Sequence, residues 1–127
     1  METKGFYMPE LDRNKVAFIS CVNDEDMYGE CLLYLKSLHV PHGISVEYIP
    51  VRGASSMCSG YNEGARKTNA RYKVYLHQDV LVVNKNLIQD LFSLFRDEET
   101  ALIGMIGCRS LPHSGVWWDG LRTYGRV

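Results

Sequence analysis

The chain has 127 residues, with 14 Lys plus Arg against 15 Asp plus Glu and 46% hydrophobic residues, a make-up that predicts one soluble globular domain. A net charge of -1 without any basic block argues against a nucleic-acid partner, because that affinity comes from clustered Lys and Arg facing phosphates. No apolar run reaches the ~18 residues that span a bilayer, and Met1-Glu2-Thr3-Lys4-Gly5 lacks the apolar core of a secretion signal, so no membrane span and a cytoplasmic location are expected.

Residues 1–15 are polar and carry no periodicity, and they read as an N-terminal arm ahead of a domain over 16–127. Four apolar runs follow, Val16 to Val22, Ile44 to Val51, Lys73 to Val83 and Ala101 to Gly107, each rich in β-branched or aromatic residues. Their starts lie 28, 29 and 28 residues apart. Between the first two, Met27, Cys31, Leu35 and Leu38 recur at helical spacing, with Asn23 as the expected N-cap and Pro41 and Gly43 as stops. Between the second and third, Met57, Tyr61, Ala65 and Thr68 repeat that spacing, with Ser55 or Ser56 as cap. Gly60 and Gly64 inside this second helix cost ~1 kcal/mol each relative to Ala, so they mark either close packing or a place where something approaches the backbone. Leu87, Leu91, Leu94 and Phe95 form a third stripe. A strand plus its crossover helix takes about 30 residues, so the even interval predicts an α/β fold, a mostly parallel twisted sheet with helices on both faces. The last twenty residues read as an irregular loop with no closing strand or helix.

In an open parallel sheet, ligands bind outside the carboxyl ends of the strands. The first strand ends Ser20-Cys21-Val22-Asn23-Asp24, the second Pro50-Val51-Arg52-Gly53, and the third run contains Leu76-His77-Gln78-Asp79-Val80. Asp79 is the most informative residue. A carboxylate among Leu76, Val80 and Leu81 is costly to desolvate unless it meets a cation, a backbone amide or water. A turn-capping Asp at a strand end is the alternative.

Three segments in this order, Ile19-Ser20-Cys21-Val22-Asn23-Asp24, Ser56-Met57-Cys58-Ser59-Gly60-Tyr61-Asn62-Glu63-Gly64-Ala65 and Tyr75-Leu76-His77-Gln78-Asp79-Val80, resemble the donor-binding half of family 2 glycosyltransferases of the GT-A, Rossmann-like fold. They resemble more closely the streptomycin-biosynthesis-type subfamily, in which a Leu-His-Gln-Asp string replaces the usual Asp-x-Asp. The resemblance runs from about Lys15 to Trp118. It implies a nucleotide-diphosphate sugar donor held by Asn23, Asp24, Arg52, Asn62 and His77. It further implies a divalent metal, Mn²⁺ or Mg²⁺, on Asp79, and inverting transfer to a sugar, lipid or protein acceptor. A single Asp suits such an ion, which takes oxygen ligands from phosphates and water as well. His77 stands where the family has an acidic residue. The resemblance covers only a donor half, so the chain is expected to be the N-terminal part of a longer glycosyltransferase. No catalytic base is assigned, and Asp119, the only late carboxylate, is no more than a candidate.

Two other readings share the layer architecture: a phosphoacceptor receiver using Asp24, Asp26 and Asp79, and a catalytically silent interaction domain. A dehydrogenase is excluded, since no Gly-x-Gly-x-x-Gly follows the first strand. His39 and His42 read as a solvated helix end, and the four cysteines, Cys21, Cys31, Cys58 and Cys108, as reduced, mostly buried thiols without a nucleophilic role. Trp117 and Trp118 are candidates for stacking on a sugar ring or for seeding a homo-oligomer contact.

Overall fold

The computed structural model describes residues 10–105, 107–108, 113–115 and 123–124. The elements run in the order β1 (Asp12–Val22), α1 (Glu25–Lys36), β2 (Ser45–Arg52), α2 (Met57–Arg66), β3 (Ala70–Tyr75), α3 (Leu87–Leu94), β4 (Gly107–Cys108) and β5 (Thr123–Tyr124). The chain divides into two compact units, one ending at Ser93 and the other beginning at Leu94. Within the first, β2, β1 and β3 form a parallel sheet in that order, with Ile19 of β1 opposite Ile49 on one side and Tyr75 on the other. In the second, β4 and β5 pair antiparallel. Among the described residues no helix is long and apolar enough to cross a membrane. The α/β fold read from the sequence is the fold observed.

β1 explains the layering. Val16 to Ser20 are all buried, because this strand is central and covered on both faces. Successive side chains alternate between faces. Val16, Phe18 and Val22 join Tyr28, Cys31, Leu35 and Leu38 of the α1 segment and Ile88 of α3 in one core. Ala17 and Ile19 join Ile49, Val51 and Ala70 in the second core, with Tyr61 of α2 packed against it. Helices therefore lie on both sides of the sheet.

The second helix reaches the sheet through its glycines. A Cβ on Gly60 would stand 2.5 Å from Cys21 Sγ and 2.9 Å from Ala54 Cβ, and one on Gly64 would collide with Ile19 Cγ2. Of the two roles open to these residues, close packing is therefore the one observed. The expected stripe of Met57, Tyr61, Ala65 and Thr68 shifts accordingly: Gly60 and Gly64 are buried while Met57 is exposed. Ser56 caps this helix, with Ser59 N–H donating to Ser56 Oγ and Ser56 N–H to Ser59 Oγ, both at 3.1 Å.

Several expectations need correction. The first strand begins at Asp12, inside the supposed arm, because Asp12 pairs with Ala70 and donates its N–H to Asn69. The third strand ends at Tyr75 rather than Val83: Leu76 N–H still bonds Ile19 O, and the chain then turns, with Val80 N–H on His77 O. Residues 101–105 form no strand, and Leu102 and Met105 are 86% and 87% exposed, since none of the sheet's strands pairs with this apolar run. The short strands in that region are β4 and β5, so the last twenty residues do contain a strand. In α3 Leu87 packs on the core as expected, but the buried residue is Ile88, Phe92 joins them with its ring 4.7 Å from that of Tyr72, and Leu94 is exposed. Cys58 is exposed rather than buried.

Gly64→Ala is expected to destabilise the protein by about 1–3 kcal/mol, because the added methyl drives α2 off Ile19. Gly29→Ala in α1, where a Cβ meets nothing within 4 Å, is expected to stabilise it by ~0.5–1 kcal/mol. Urea unfolding of both variants measures the contrast.

Candidate functional site

In the strand order β2-β1-β3 the chain leaves β1 for one neighbour and later returns to the other side, so the topological switch point lies between β1 and β3. A cleft of about 410 Å³ opens there, at the carboxyl ends of the strands. Cys21, Val22, Val51 and Ala54 give it apolar walls. Asn23, His77, Gln78 and Asp79 supply polar groups, and Ser56 comes from the α2 cap. Met27 and Met57, half exposed in the first turns of α1 and α2, also line it. Gly53 completes the lining with φ at 69°, a left-handed conformation that lets the chain turn sharply out of β2.

The two loops that flank the switch point are joined by one side chain. Gln78 Oε1 accepts from the backbone N–H groups of Asn23 at 2.9 Å and Asp24 at 3.0 Å, and Gln78 Nε2 donates to Asn23 Oδ1. Asn23 is therefore not the N-cap of α1, because its carboxamide oxygen is taken. Asp24 caps instead, its Oδ1 accepting from Asp26 N–H at 3.1 Å and Met27 N–H at 3.0 Å.

The residues picked out from the sequence separate into groups. Asn23, His77 and Asp79 come together in the cleft. Asp79 is exposed in the turn after β3, so its carboxylate keeps its water and the desolvation cost expected for it is not incurred. Asp24 lies at the edge of this region as a helix cap. Arg52 does not line the cleft: its Nε donates to Glu25 Oε1 at 2.5 Å and its Nη2 to Oε2 at 2.9 Å, fastening the end of β2 to the first turn of α1. Asn62 is exposed on α2, two residues from the buried Gly60, and does not line the cleft. Asp119, Trp117 and Trp118 lie outside the described residues. Gln78, quoted in a motif but given no role, is what sequence reasoning missed. The available signal was its chemistry, since a carboxamide has both the acceptor and the donor that a strand end and an Asn can match.

Burial pushes the thiols of Cys21 and Cys31 up from their ordinary value, which disfavours the thiolate in both. Among the described residues no three His, Cys, Asp or Glu side chains gather into a metal-holding group. His39 is exposed, its Nδ1 3.2 Å from Asn86 Oδ1.

A family model described as glycosyltransferase-like matches residues 17–127. The chain belongs to the glycosyltransferase-like family. No curated protein and no solved structure matches it. The matched span of this glycosyltransferase-like chain takes in β1 from Ala17, the cleft and every site residue named from the sequence.

Hydrogen bonds from Arg52 hold the Glu25 carboxyl below its ordinary value. The contribution of this pair to stability is therefore fully present above the ordinary Glu pKa of about 4.3 and is lost as pH falls through the lowered folded-state value. The melting-temperature gap between the wild type and Glu25→Gln is expected to be widest at about pH 6 and to close toward about pH 3. Thermal melts of both proteins across that range measure it.

Proposed function

We propose that this chain is the donor-binding part of a glycosyltransferase that takes a nucleotide-diphosphate sugar together with Mn²⁺ or Mg²⁺ and passes the sugar, with inversion, to an acceptor hydroxyl. The observation that carries the reading is the cleft at the switch point, with Asn23 on its β1 side and His77 and Asp79 on its β3 side, in a chain of this family. The Leu76-His77-Gln78-Asp79 string supports a place in the streptomycin-biosynthesis-type branch.

The donor set of the cleft suits such an ion in one specific way. Asp79 is the only carboxylate among the described residues that line it. Mg²⁺ and Mn²⁺ are commonly held by one or two carboxylates with substrate phosphates and water completing the shell. Asp79 would therefore hold the ion jointly with the donor's diphosphate rather than alone. When bound, the ion offsets charge developing on the departing nucleotide. Asn23 and the apolar walls then receive the nucleoside, and Asp24 and the Arg52–Glu25 pair hold the surrounding backbone. The receiver alternative draws no support, because Asp24 is spent on capping α1 and no acidic trio gathers among the described residues.

The expected outcome in a thermal-shift assay is that UDP or GDP with Mn²⁺ raises the melting temperature by several degrees, in line with about 2.7 kcal/mol at a hundredfold excess over Kd. Mn²⁺ alone and nucleotide alone each give no comparable rise. Asp79→Asn, an exposed change worth within about 0.5 kcal/mol unliganded, abolishes the joint shift. An equal shift without metal, or in Asp79→Asn, overturns the reading, and silence with every nucleotide leaves the interaction domain as the better account.

A further inference from the structure

The carboxamide of Gln78 has a defined orientation. Two backbone N–H groups, of Asn23 and Asp24, converge on one end of it, and N–H groups require an acceptor, so that end is the oxygen. The other end is then the NH₂, and it faces Asn23. This sets the neighbour's amide in turn: Asn23 presents its Oδ1 to Gln78, which leaves its Nδ2 amino group without a protein partner among the described residues. Asn23 lines the cleft together with the partly exposed Cys21 and Met27, apolar side chains against which a flat nucleobase can lie.

We propose that Gln78 acts as a specificity-determining residue by fixing Asn23 as a hydrogen-bond donor to the nucleobase, so that the cleft selects a donor whose base offers a carbonyl oxygen there, uracil or guanine, over cytosine or adenine. The assignment rests on the donor-binding reading above. Its chemistry follows from the base edges: uracil O4 and guanine O6 accept, whereas cytosine N4 and adenine N6 donate, and a donor facing a donor leaves both unpaired. Gln78 itself makes no contact with the base. Its effect passes through two fixed amide orientations, and the two anchoring N–H groups lie in the turn between β1 and α1, so the arrangement cannot relax by a simple flip of Gln78.

Gln78→Glu separates this role from simple support. The glutamate keeps an oxygen for the two N–H groups but turns a second oxygen, in place of NH₂, toward Asn23. The Asn23 amide then turns its Nδ2 to that oxygen and presents Oδ1 to the cleft, reversing its polarity. Gln78→Met removes the tie while keeping the bulk. Calorimetric titration with UDP, CDP, GDP and ADP at one fixed Mn²⁺ concentration gives the ratios UDP to CDP and GDP to ADP in each protein. Because each ratio is taken within one variant, the charge added by Glu beside Asp79 cancels. The wild type is expected to bind the carbonyl-bearing member of at least one pair about tenfold more tightly, the size of one unpaired polar group. That ratio is expected to fall below one in Gln78→Glu and to approach one in Gln78→Met. A wild-type preference for CDP and ADP, or a ratio unchanged in both variants, overturns the assignment while leaving the donor-binding reading intact. Binding of none of the four nucleotides to the wild type overturns the donor-binding reading, and the assignment with it.

Discussion

β1 is hydrogen-bonded on both edges and buried on both faces, and the rest of the first unit is arranged by that double constraint. Val16, Phe18 and Ile19 each gain on the order of 1.5–3 kcal/mol from full burial, but they do so in opposite directions, Phe18 toward α1 and Ile19 toward α2. A strand used on both faces has no freedom to slip, since a shift of one residue would exchange the two cores. The point at which it leaves the sheet, Val22 to Asp24, is consequently held in register. The cleft is built on that point.

Polar chemistry takes over where the apolar ladder stops. β3 follows β1 as far as Leu76, and beyond it the N–H groups of Asn23 and Asp24 meet a side-chain carbonyl instead of a strand. Gln78 thus closes the sheet at the switch point and at the same time brings His77 and Asp79 to the same opening as Asn23. The function assigned to the cleft depends on this meeting of two loops 55 residues apart in the chain. Glu25 engages the Arg52 guanidinium, and among the described residues no arginine lines the cleft.

The parts of this arrangement that were readable in advance are those with a repeating physical cause. The 28-residue interval and the continuous apolar runs at Val16 and Ile44 announced the crossovers, and Pro41 and Gly43 marked the exit from α1. Asp79 stood out as a carboxylate in an apolar run, and the resemblance to family 2 glycosyltransferases pointed to Asn23 and His77. What was not readable depended on tertiary pairing. The apolar run from Lys73 to Val83 looked like one strand, yet its second half has no strand to pair with and bends at Gln78. The run at Ala101 shows the same ambiguity of short apolar segments. Arg52 looked available at a strand end, but Glu25, far along the chain, engages it. Met57 fitted the helical stripe by spacing, although the contact that matters is made by residues with no side chain at all.

That last point bears on how variants of this protein are to be interpreted. Gly60 touches Cys21 from behind, and Cys21 is a wall of the cleft. A side chain placed at Gly60 or Gly64 would clash with Cys21 and Ala54 or with Ile19, and α2 would have to move off the sheet to admit it. A survey of substitutions scored only by loss of function would rank these two glycines beside the residues that line the cleft, though neither lines it. Separating the amount of folded protein from the function of each folded molecule would return them to the scaffold, where their role is to hold two surfaces at backbone distance.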